Sequence, residues 1–561
     1  MPRRLIFPIL LCLLPTIAAA QALRGPTLAA ASSFGQGLPE GLLAKTLETG
    51  IDDLRDELFW YRTEDTAGDF VFDDPMTLYP DALEQAGARL SLLVNNGHAG
   101  YDDGDTPYSA AAVAGFGRHA AAVVQRFPAT RSVEVGNEFN SQMFISGPLK
   151  DQDLAARARA YVALLKSVRD QVGAIDPTVR IIGGGVHSIP VAYLKQLVDL
   201  GAAEMMDSIA LHPYDTPIEL IAAQIAVMRR LPGLADMPVE ITEFGSESRE
   251  TASADMVRGY CQMALSGVTR MVWYPLNDRG DGYVPLIDGS LAPTAAYDTY
   301  AYLRAEFEGA RVQDAAPDPF TRACLFEGRK LILWGMPRKL TLLSDAVTLR
   351  DTTGAPLETR EAMLSEGDPL ILTSETPLVE GRDYVLAPQE VIADSYFQFT
   401  YPDGSEGAAM DPLSRSMRDR NGTHPLQTMP GQSGPGRPWT PWLGTPENGD
   451  LRLLSRVMLP VGSPDWPVEI LHAFTAPEAM TLKVDASFDT VAEDGRVDVT
   501  LSAANQPVRT WKDANTVPIE DDTLRLSAGE TVEIAVSPAA GSDDNLTRYR
   551  ITLRKAPYKA P

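Results

Sequence analysis

The chain has 561 residues, which is more than one hydrophobic core usually serves and indicates about two to four domains. Apolar residues make up 44% of the sequence, so a chain that is disordered throughout is excluded. The formal net charge is −26, and a surface of that sign repels nucleic acid and anionic membranes. Neither of these is therefore expected as a partner.

The N-terminus has the pattern of an export signal. Arg3 and Arg4 form a short basic start, residues 5–17 are apolar, and residues 18–20 are alanines that suit a signal peptidase. The apolar run is shorter than the ~20 residues that span a bilayer, so no membrane span is expected after cleavage, with an uncleaved anchor as the alternative. We predict a signal over residues 1–20 and a secreted or periplasmic mature protein. Its charge becomes −28 once the two arginines are removed from −26.

Three cysteines are present, and they predict neither a disulfide framework nor a metal site. Cys12 leaves with the signal, and Cys261 and Cys324 fall in different predicted domains. The sequence therefore does not favour a bridge between them. Neither has a histidine at metal-ligand spacing, and we expect no metal and no cofactor.

Between residues 28 and 307, short apolar runs alternate with longer amphipathic stretches. The eight strand candidates are residues 28–34, 51–56, 90–95, 133–138, 179–184, 208–214, 239–244 and 270–275. The clearest helical stretches are residues 110–127, 153–172 and 252–265. This rhythm predicts an α/β fold, a (β/α)₈ TIM barrel over residues 21–309. A doubly wound open sheet is the alternative, but no GxGxxG follows the first strand.

After residue 309 long helical periodicity is lost and short strand patterns take over. We predict a small β domain over residues 310–390 and a C-terminal β-sandwich over residues 391–561. A loop rich in Pro, Gly and Ser spans residues 429–446. Three tryptophans in this part of the chain either bind carbohydrate by stacking or pack inside the fold: Trp439, Trp442 and Trp511.

Two glutamates stand at the ends of predicted barrel strands, where the chemistry of such barrels is found. Glu138 ends the fourth strand and Glu243 ends the seventh, on opposite sides of the barrel mouth. Two carboxylates so placed can flank a glycosidic bond, and the retaining mechanism needs them about 5–5.5 Å apart. The acid of the pair needs a raised pKa, which burial and the neighbouring anion would supply. A lone glutamate at a strand end would more often be a surface or ion-paired residue.

The motifs around these glutamates resemble those of clan A glycoside hydrolases, family 39 first and family 5 next. The motifs are Asn137-Glu138 followed by Asn140, Ile241-Thr242-Glu243-Phe244-Gly245, His212-Pro213-Tyr214, Arg55 with Trp60, Trp273-Tyr274, and Pro293 with Tyr297. They extend over residues 34–307, about half of the chain. Gly136 and Phe139 depart from the family, which commonly has Trp and Pro at these positions of the sugar pocket.

The resemblance implies a role for each matching residue. Glu138 would protonate the leaving oxygen and then activate water, and Glu243 would attack the anomeric carbon. The substrate-binding residues it implies are Arg55, Asn137, His212, Tyr214 and Trp273. Among these, Arg55 would keep Glu243 ionised, Asn137 would hold the sugar 2-hydroxyl, Tyr214 would donate to Glu243, and Trp273 would form an apolar floor beneath the sugar ring.

Each supporting residue also has a purely structural interpretation. His212 could be a satisfied core histidine, Tyr214 and Trp273 could be packing residues, and Arg55 could pair with a neighbouring aspartate. Taken together, the resemblance implies an exported retaining hydrolase of a polysaccharide or oligosaccharide, with β-linked bonds favoured. A bacterial exopolysaccharide is the preferred substrate. The alternatives are a non-catalytic polysaccharide-binding protein and an accessory factor of a secretion complex.

Overall fold

The computed structural model describes residues 22–556, except 38–40, 67, 96, 404–411, 464–465, 505 and 540–544. The predicted signal over residues 1–20 lies outside the described residues. Within the described part, no helix is long and apolar enough to cross a membrane.

Eight parallel strands close into a barrel, as the sequence predicts. They are Thr27–Ala31 (β1), Asp53–Glu57 (β2), Arg89–Val94 (β3), Thr130–Val135 (β4), Arg180–His187 (β5), Ser208–His212 (β6), Val239–Phe244 (β7) and Val268–Trp273 (β8). Each strand pairs with its neighbours in sequence, and β1 pairs with both β2 and β8. The fourth strand begins and ends three residues earlier than predicted, and it ends at Val135 because Gly136 and Glu138 have positive φ angles of 74° and 50°.

Helices follow most of the strands and cover the barrel. They are Leu42–Glu48 (α1), Trp60–Thr63 (α2), Tyr79–Gln85 (α3), Ala110–Arg126 (α4), Leu154–Ile175 (α5), Val191–Asp199 (α6), Ile221–Met228 (α7), Ala252–Leu265 (α8) and Ala295–Glu306 (α9). Single 3₁₀ turns lie at Phe34–Gln36, Pro75–Thr77, Asp102–Gly104, Gly147–Leu149, Ala202–Glu204 and Ile218–Leu220, and a small hairpin joins Glu64–Thr66 to Asp69–Phe70. The three helices predicted most clearly are confirmed. The side chains of Ser109 and Asp153 cap α4 and α5 by accepting backbone N–H bonds.

The inside of the barrel carries buried ion pairs as well as apolar side chains. Near the N-terminal ends of the strands, Arg270 on β8 lies 2.7 Å from Asp53 on β2 and 3.5 Å from Glu240 on β7. Two residues further along β2, Arg55 pairs with Glu134 on β4 at 2.6 Å. Because a buried charge is tolerated only with a partner, these pairs tie strands on different sides of the barrel together.

The chain then enters a region of short antiparallel strands. These are Val312–Asp314 (β9), Thr321–Phe326 (β10), Lys330–Gly335 (β11), Lys339–Leu342 (β12), Val347–Arg350 (β13), Glu361–Met363 (β14), Leu370–Ser374 (β15) and Tyr384–Leu386 (β16). They form a five-stranded sheet, β9-β10-β11-β15-β13, and a three-stranded sheet, β14-β12-β16. Leu333, Leu340, Leu349 and Leu372 are buried in one apolar cluster that joins the two sheets.

The rest of the described chain forms two larger antiparallel sheets. The strands are Val391–Asp394 (β17), Leu413–Asp419 (β18), Gly422–Pro425 (β19), Gln427–Met429 (β20), Trp442–Gly444 (β21), Arg452–Leu453 (β22), Val457–Leu459 (β23), Val461–Ser463 (β24), Trp466–Thr475 (β25), Met480–Thr490 (β26), Val497–Ala503 (β27), Arg509–Ala514 (β28), Thr516–Leu526 (β29), Thr531–Pro538 (β30) and Thr547–Lys555 (β31). One sheet runs β20-β21-β22-β23-β31-β26-β29 with β17 on β31. The other runs β19-β18-β25-β30-β27-β28 with β24 on β25. The predicted fold class, a TIM barrel followed by β domains, is confirmed, while the domain boundaries stay a prediction.

A disulfide joins Cys261 to Cys324, which corrects the expectation that these cysteines stay apart. Cys261 lies on α8 of the barrel and Cys324 on β10 of the following sheet, with 5.9 Å between their Cα atoms. Both side chains are fully buried. The two cysteines meet because the five-stranded sheet packs directly on α8, a contact between distant parts of the chain that the sequence does not report.

Candidate active site at the barrel mouth

The C-terminal ends of five barrel strands bring a compact group of polar side chains together. The group consists of Arg55 from β2, Glu134 from β4, Asn137 and Glu138 just after β4, His187 from β5, His212 from β6, Tyr214 just after β6, and Thr242 and Glu243 from β7. It includes every site residue predicted from sequence except Trp273. All but His187, Tyr214 and Glu243 are buried.

Glu243 is held by one cation and one hydroxyl group. Arg55 donates from Nη1 to Oε1 of Glu243 at 2.8 Å. The hydroxyl of Tyr214 donates to the other carboxylate oxygen, Oε2, at 2.9 Å. Both contacts are those that the family resemblance implies, and together they fix the orientation of the carboxylate.

The guanidinium of Arg55 is shared among the carboxylates of the site. It makes a two-point contact with Glu134, from Nε at 2.6 Å and from Nη2 at 3.1 Å, and Nη2 also reaches Oδ1 of Asn137 at 3.3 Å. Burial alone would lower the pKa of Arg55, but the charges of Glu134 and Glu243 outweigh burial and raise that pKa. Arg55 is therefore a permanent cation at the centre of the site.

Glu138 lies within hydrogen-bond reach of two histidines. Nδ1 of His212 donates to Oε1 of Glu138 at 2.9 Å, and Nδ1 of His187 lies 3.3 Å from the same oxygen. Nε2 of His187 meets Asp215 at 3.0 Å, and Nε2 of His212 meets Thr242 at 3.0 Å. A Glu138 carboxylate with an imidazolium on each side is the arrangement that these contacts favour.

The pKa of Glu138 differs from the expectation for an acid catalyst. Burial raises this pKa, but hydrogen bonds from His187 and His212 outweigh burial and lower it from 4.5 to about 2. Burial lowers the pKa of both histidines, but Asp215 and Glu138 raise that of His187 to about 9, and Glu243, Glu134 and Glu138 raise that of His212 to about 9. The proton therefore lies on the imidazoles in the resting site.

The two carboxylates lie close enough to act on one bond. One ligand atom from each of Glu138, His212 and Glu243 lies within 4.8 Å of the other two, so a carboxylate oxygen of each glutamate lies inside that distance. Carboxylate oxygens this close agree with the about 5–5.5 Å between carboxyl groups of retaining hydrolases better than with the about 6.5–9.5 Å of inverting ones.

The same three side chains form the one group of possible metal ligands within the part of the chain that the structure describes. Their oxygens already accept hydrogen bonds from Arg55, Tyr214 and the histidines. A cation placed there would compete with a guanidinium for Oε1 of Glu243, so the donor set suits charged hydrogen bonding better than metal binding.

Trp273 does not form the expected floor of a sugar site. Its ring is fully buried, packs edge-on against Phe244 with 5.9 Å between ring centroids, and donates from Nε1 to the carbonyl of Val284 at 3.0 Å. A side chain without exposed surface offers nothing to a ligand. In this structure Trp273 is therefore a packing residue.

A row of half-buried rings borders the mouth in its place. Tyr274, Tyr283, Tyr214, His187 and Trp439 follow one another with centroid separations of 5.4, 5.4, 6.3 and 5.0 Å. The last ring belongs to the loop before β21 in the C-terminal sheets. We call this row the aromatic border.

Sequence reasoning missed several members of the site. Glu134 lies inside the barrel where a strand pattern predicts an apolar residue, and its pKa is lowered to about 2 because Arg55 and His212 outweigh burial. His187 lies beyond residue 184, where the sequence pattern predicts that the fifth strand ends. The strand instead continues through a register shift between Gly183 and Val186. The available signal was three consecutive glycines, which often mark a bulge, with a histidine two positions after the last of them.

Comparison with known proteins supports the fold and goes no further. No protein-family model and no curated protein matches the chain. The structure is similar to a family 39 glycoside hydrolase from Bacteroides cellulosilyticus, with a TM-score of 0.51 and 16% identity over 63% of this chain and 81% of that one. A family 39 β-xylosidase from Caulobacter crescentus has a TM-score of 0.45 and 16% identity, and covers 64% of this chain and 98% of its own. The chain thus has the barrel fold that the resemblance implied.

Proposed function

We propose that this protein is a retaining glycoside hydrolase that cleaves β-linked bonds of a polysaccharide. The observation that carries the proposal is the pair of carboxylates, Glu138 and Glu243, within 4.8 Å of each other at the mouth of the barrel. The fold shared with a family 39 hydrolase supports it.

The geometry suits a double displacement. In the first step Glu243 attacks the anomeric carbon, the bond to the leaving oxygen breaks, and Glu138 gives a proton to that oxygen. In the second step water attacks the same carbon, its proton passes to Glu138, and the carboxylate of Glu243 leaves. Arg55 and Tyr214 hold Glu243 in place for both steps.

The proton for the first step is stored next to Glu138. His212 donates to Oε1 of Glu138 at 2.9 Å, so a proton moves to the carboxylate along an existing hydrogen bond when substrate replaces solvent around it. Asp215 on the far side of His187 supports the second imidazolium. A carboxylate with a pKa lowered to about 2 can in this way still serve as the acid.

Export and an extracellular polymer substrate are part of the proposal. The basic and apolar pattern of residues 1–20 supports export, and so does the disulfide between Cys261 and Cys324, because such bonds persist in oxidising compartments. The net charge of −26 disfavours strongly anionic polymers. A bacterial exopolysaccharide without dense negative charge is the substrate that these features favour.

One observation favours a second candidate, a polysaccharide-binding protein without turnover. Glu138 is ionised in the resting site, and an ionised carboxylate accepts hydrogen bonds from sugar hydroxyls without donating a proton. Turnover by the wild type distinguishes the two candidates, because a binding protein releases no reducing ends from any polysaccharide.

The test is turnover by the full chain on xylan, mannan, β-1,3-glucan and purified bacterial exopolysaccharides. Glu243→Gln should lower the release of reducing ends at least about a thousandfold while circular dichroism stays unchanged. Glu250→Gln removes an exposed carboxylate seven positions later and serves as the matched control. Proton NMR of the first product should show retained anomeric configuration. Equal activity of E243Q and wild type would disprove the nucleophile, and inverted product would disprove the mechanism.

A further inference from the structure

A loop of the C-terminal sheets reaches the mouth of the barrel. Residues 430–440 connect β20 to β21, and the backbone carbonyl of Gly431 accepts a hydrogen bond from Ala192 at the start of α6 at 3.0 Å. Asn140 donates to Oε1 of Gln432 at 2.9 Å, and Nε2 of Gln432 donates back to the carbonyl of Asn140 at 2.9 Å. The loop is thereby bound to the segment that carries Glu138.

The loop is fixed by its own backbone as well. Gln432 adopts a φ of 52° and donates its N–H to the carbonyl of Pro438 at 2.6 Å, which folds the loop back on itself. A Cβ atom at position 431 would overlap the carbonyl of Trp439, so only glycine allows the close approach. These contacts give the side chain of Trp439 a defined position.

Trp439 lies one side chain away from Glu138. Its ring meets His187 edge-on, with 5.0 Å between centroids and 78° between planes, and His187 in turn contacts Glu138. The indole is half-buried, in contrast to Trp442, which is fully buried. Trp511 lies on β28, which is the last strand at one edge of its sheet.

The order of rings along the aromatic border indicates on which side of the scissile bond Trp439 lies. Tyr214 touches the nucleophile Glu243, His187 touches Glu138, and Trp439 lies beyond His187. The nucleophile binds the sugar that stays, whereas the acid faces the oxygen of the sugar that leaves. Trp439 therefore lies on the leaving-group side.

We propose that Trp439 stacks against the sugar on the leaving-group side of the scissile bond, so that the C-terminal sheets supply part of the substrate site. The proposal rests on the hydrolase function proposed above. A half-buried indole at the mouth suits the apolar face of a pyranose ring. The buried Trp273 offers no such surface.

The test compares two kinds of substrate for wild type, Trp439→Ala, Trp439→Phe and Trp511→Ala. The probes are xylohexaose, mannohexaose and laminarihexaose, with the methyl β-glycoside of the same sugar as the second substrate. Methanol is too small to stack on an indole, but like a sugar it leaves only with a proton from Glu138. Trp439→Ala should lower kcat/KM on the cleaved hexaose about tenfold more than on the methyl glycoside. Trp439→Phe should recover part of the loss, and Trp511→Ala should match wild type.

Three results would overturn the proposal. Unchanged hexaose kinetics in Trp439→Ala would show that the indole makes no contact with substrate. An equal loss on both substrates would show that Trp439 only positions His187 and Glu138. An equal loss on the hexaose in Trp511→Ala would show that the substrate also depends on the sheet edge at β28, away from the mouth. Absence of hexaose and polymer cleavage by wild type would instead disprove the proposed function, and this proposal with it.

Discussion

The backbone of Glu138 has a left-handed conformation, with a φ of 50° that non-glycine residues rarely adopt. Its N–H donates to the carbonyl of Gly185 at 2.5 Å, which ties the turn after β4 to the end of β5. The departure from the family at the neighbouring positions has a physical reason. A Cβ at Gly136 would lie 2.9 Å from the ring of Phe139, so the two residues are a matched pair.

The charges around Glu138 predict how stability depends on pH. The pKa of His187 is raised from 6.5 to about 9, so its stabilisation is complete below pH 6.5 and is lost as the pH rises through about 9. The pKa of Glu138 is lowered, so its contribution is complete above pH 4.5 and is lost as the pH falls towards 2.

His187→Gln should therefore flatten the alkaline loss of stability. We expect the Tm of wild type to fall between pH 6.5 and 9 more steeply than the Tm of His187→Gln, measured by calorimetry. His424→Gln, which changes an exposed histidine on β19, is the control and should follow wild type. Identical slopes in wild type and His187→Gln would contradict the assigned ion pair.

Two elements aim side chains that strand periodicity alone would misplace. In β5 the glycines at 183–185 carry a register shift, and this shift turns His187 towards Glu138. The loop at residues 430–440 depends in the same way on Gly431, and its contacts with α6 and with Asn140 bring Trp439 to the mouth.

The loop contacts predict the effect of Gln432→Ala. The change removes two buried hydrogen bonds between Gln432 and Asn140, each 2.9 Å long. It should lower the local free energy of unfolding by about 1–3 kcal/mol. Hydrogen exchange should become faster at Ala192 and across residues 430–440. Gln506→Ala changes a glutamine that donates to the carbonyl of Arg525, and it should leave exchange at Ala192 and across residues 430–440 unchanged. Unaltered exchange in Gln432→Ala would show that the loop does not depend on this contact.

At the scale of the whole molecule, the barrel and the β regions form one connected body. Glu219, after β6, accepts hydrogen bonds from Trp334 on β11 and from Tyr396, just after β17. Arg230, after α7, donates to the carbonyls of Tyr401 and Pro402. Deletion of residues 391–561 would thus remove part of the mouth and uncover buried surface, so it cannot separate glycan binding from folding.

The disulfide predicts a further effect at this scale. Cys324→Ala opens a link between residues 63 positions apart and should lower stability by roughly 2–4 kcal/mol. The midpoint of denaturant unfolding should fall in the variant, and wild type should lose the same amount after unfolding and refolding in a reducing buffer. A variant that keeps the wild-type midpoint under oxidising conditions would show that the bond adds no stability.

The barrel and the positions of its two glutamates can be predicted from the sequence without any knowledge of the packing. The periodicity of strands and helices is a local property of the sequence. A residue at the C-terminal end of a barrel strand lies at the mouth, because all eight parallel strands end at the same face of the barrel. The family resemblance adds Arg55, Asn137, His212 and Tyr214, and the structure brings all four together with Glu138 and Glu243.

The remaining features depend on contacts between residues far apart in the chain. The contact between Asn140 and Gln432 joins residues 292 positions apart, and no local pattern reports a pairing at that separation. The burial of Trp273, the bridge from Cys261 to Cys324 and the place of Trp439 depend in the same way on how the sheets pack against the barrel. Whether a proton lies on Glu138 or on the histidines depends on packing as well, because His187 and His212 lie beside Glu138 and lower its pKa.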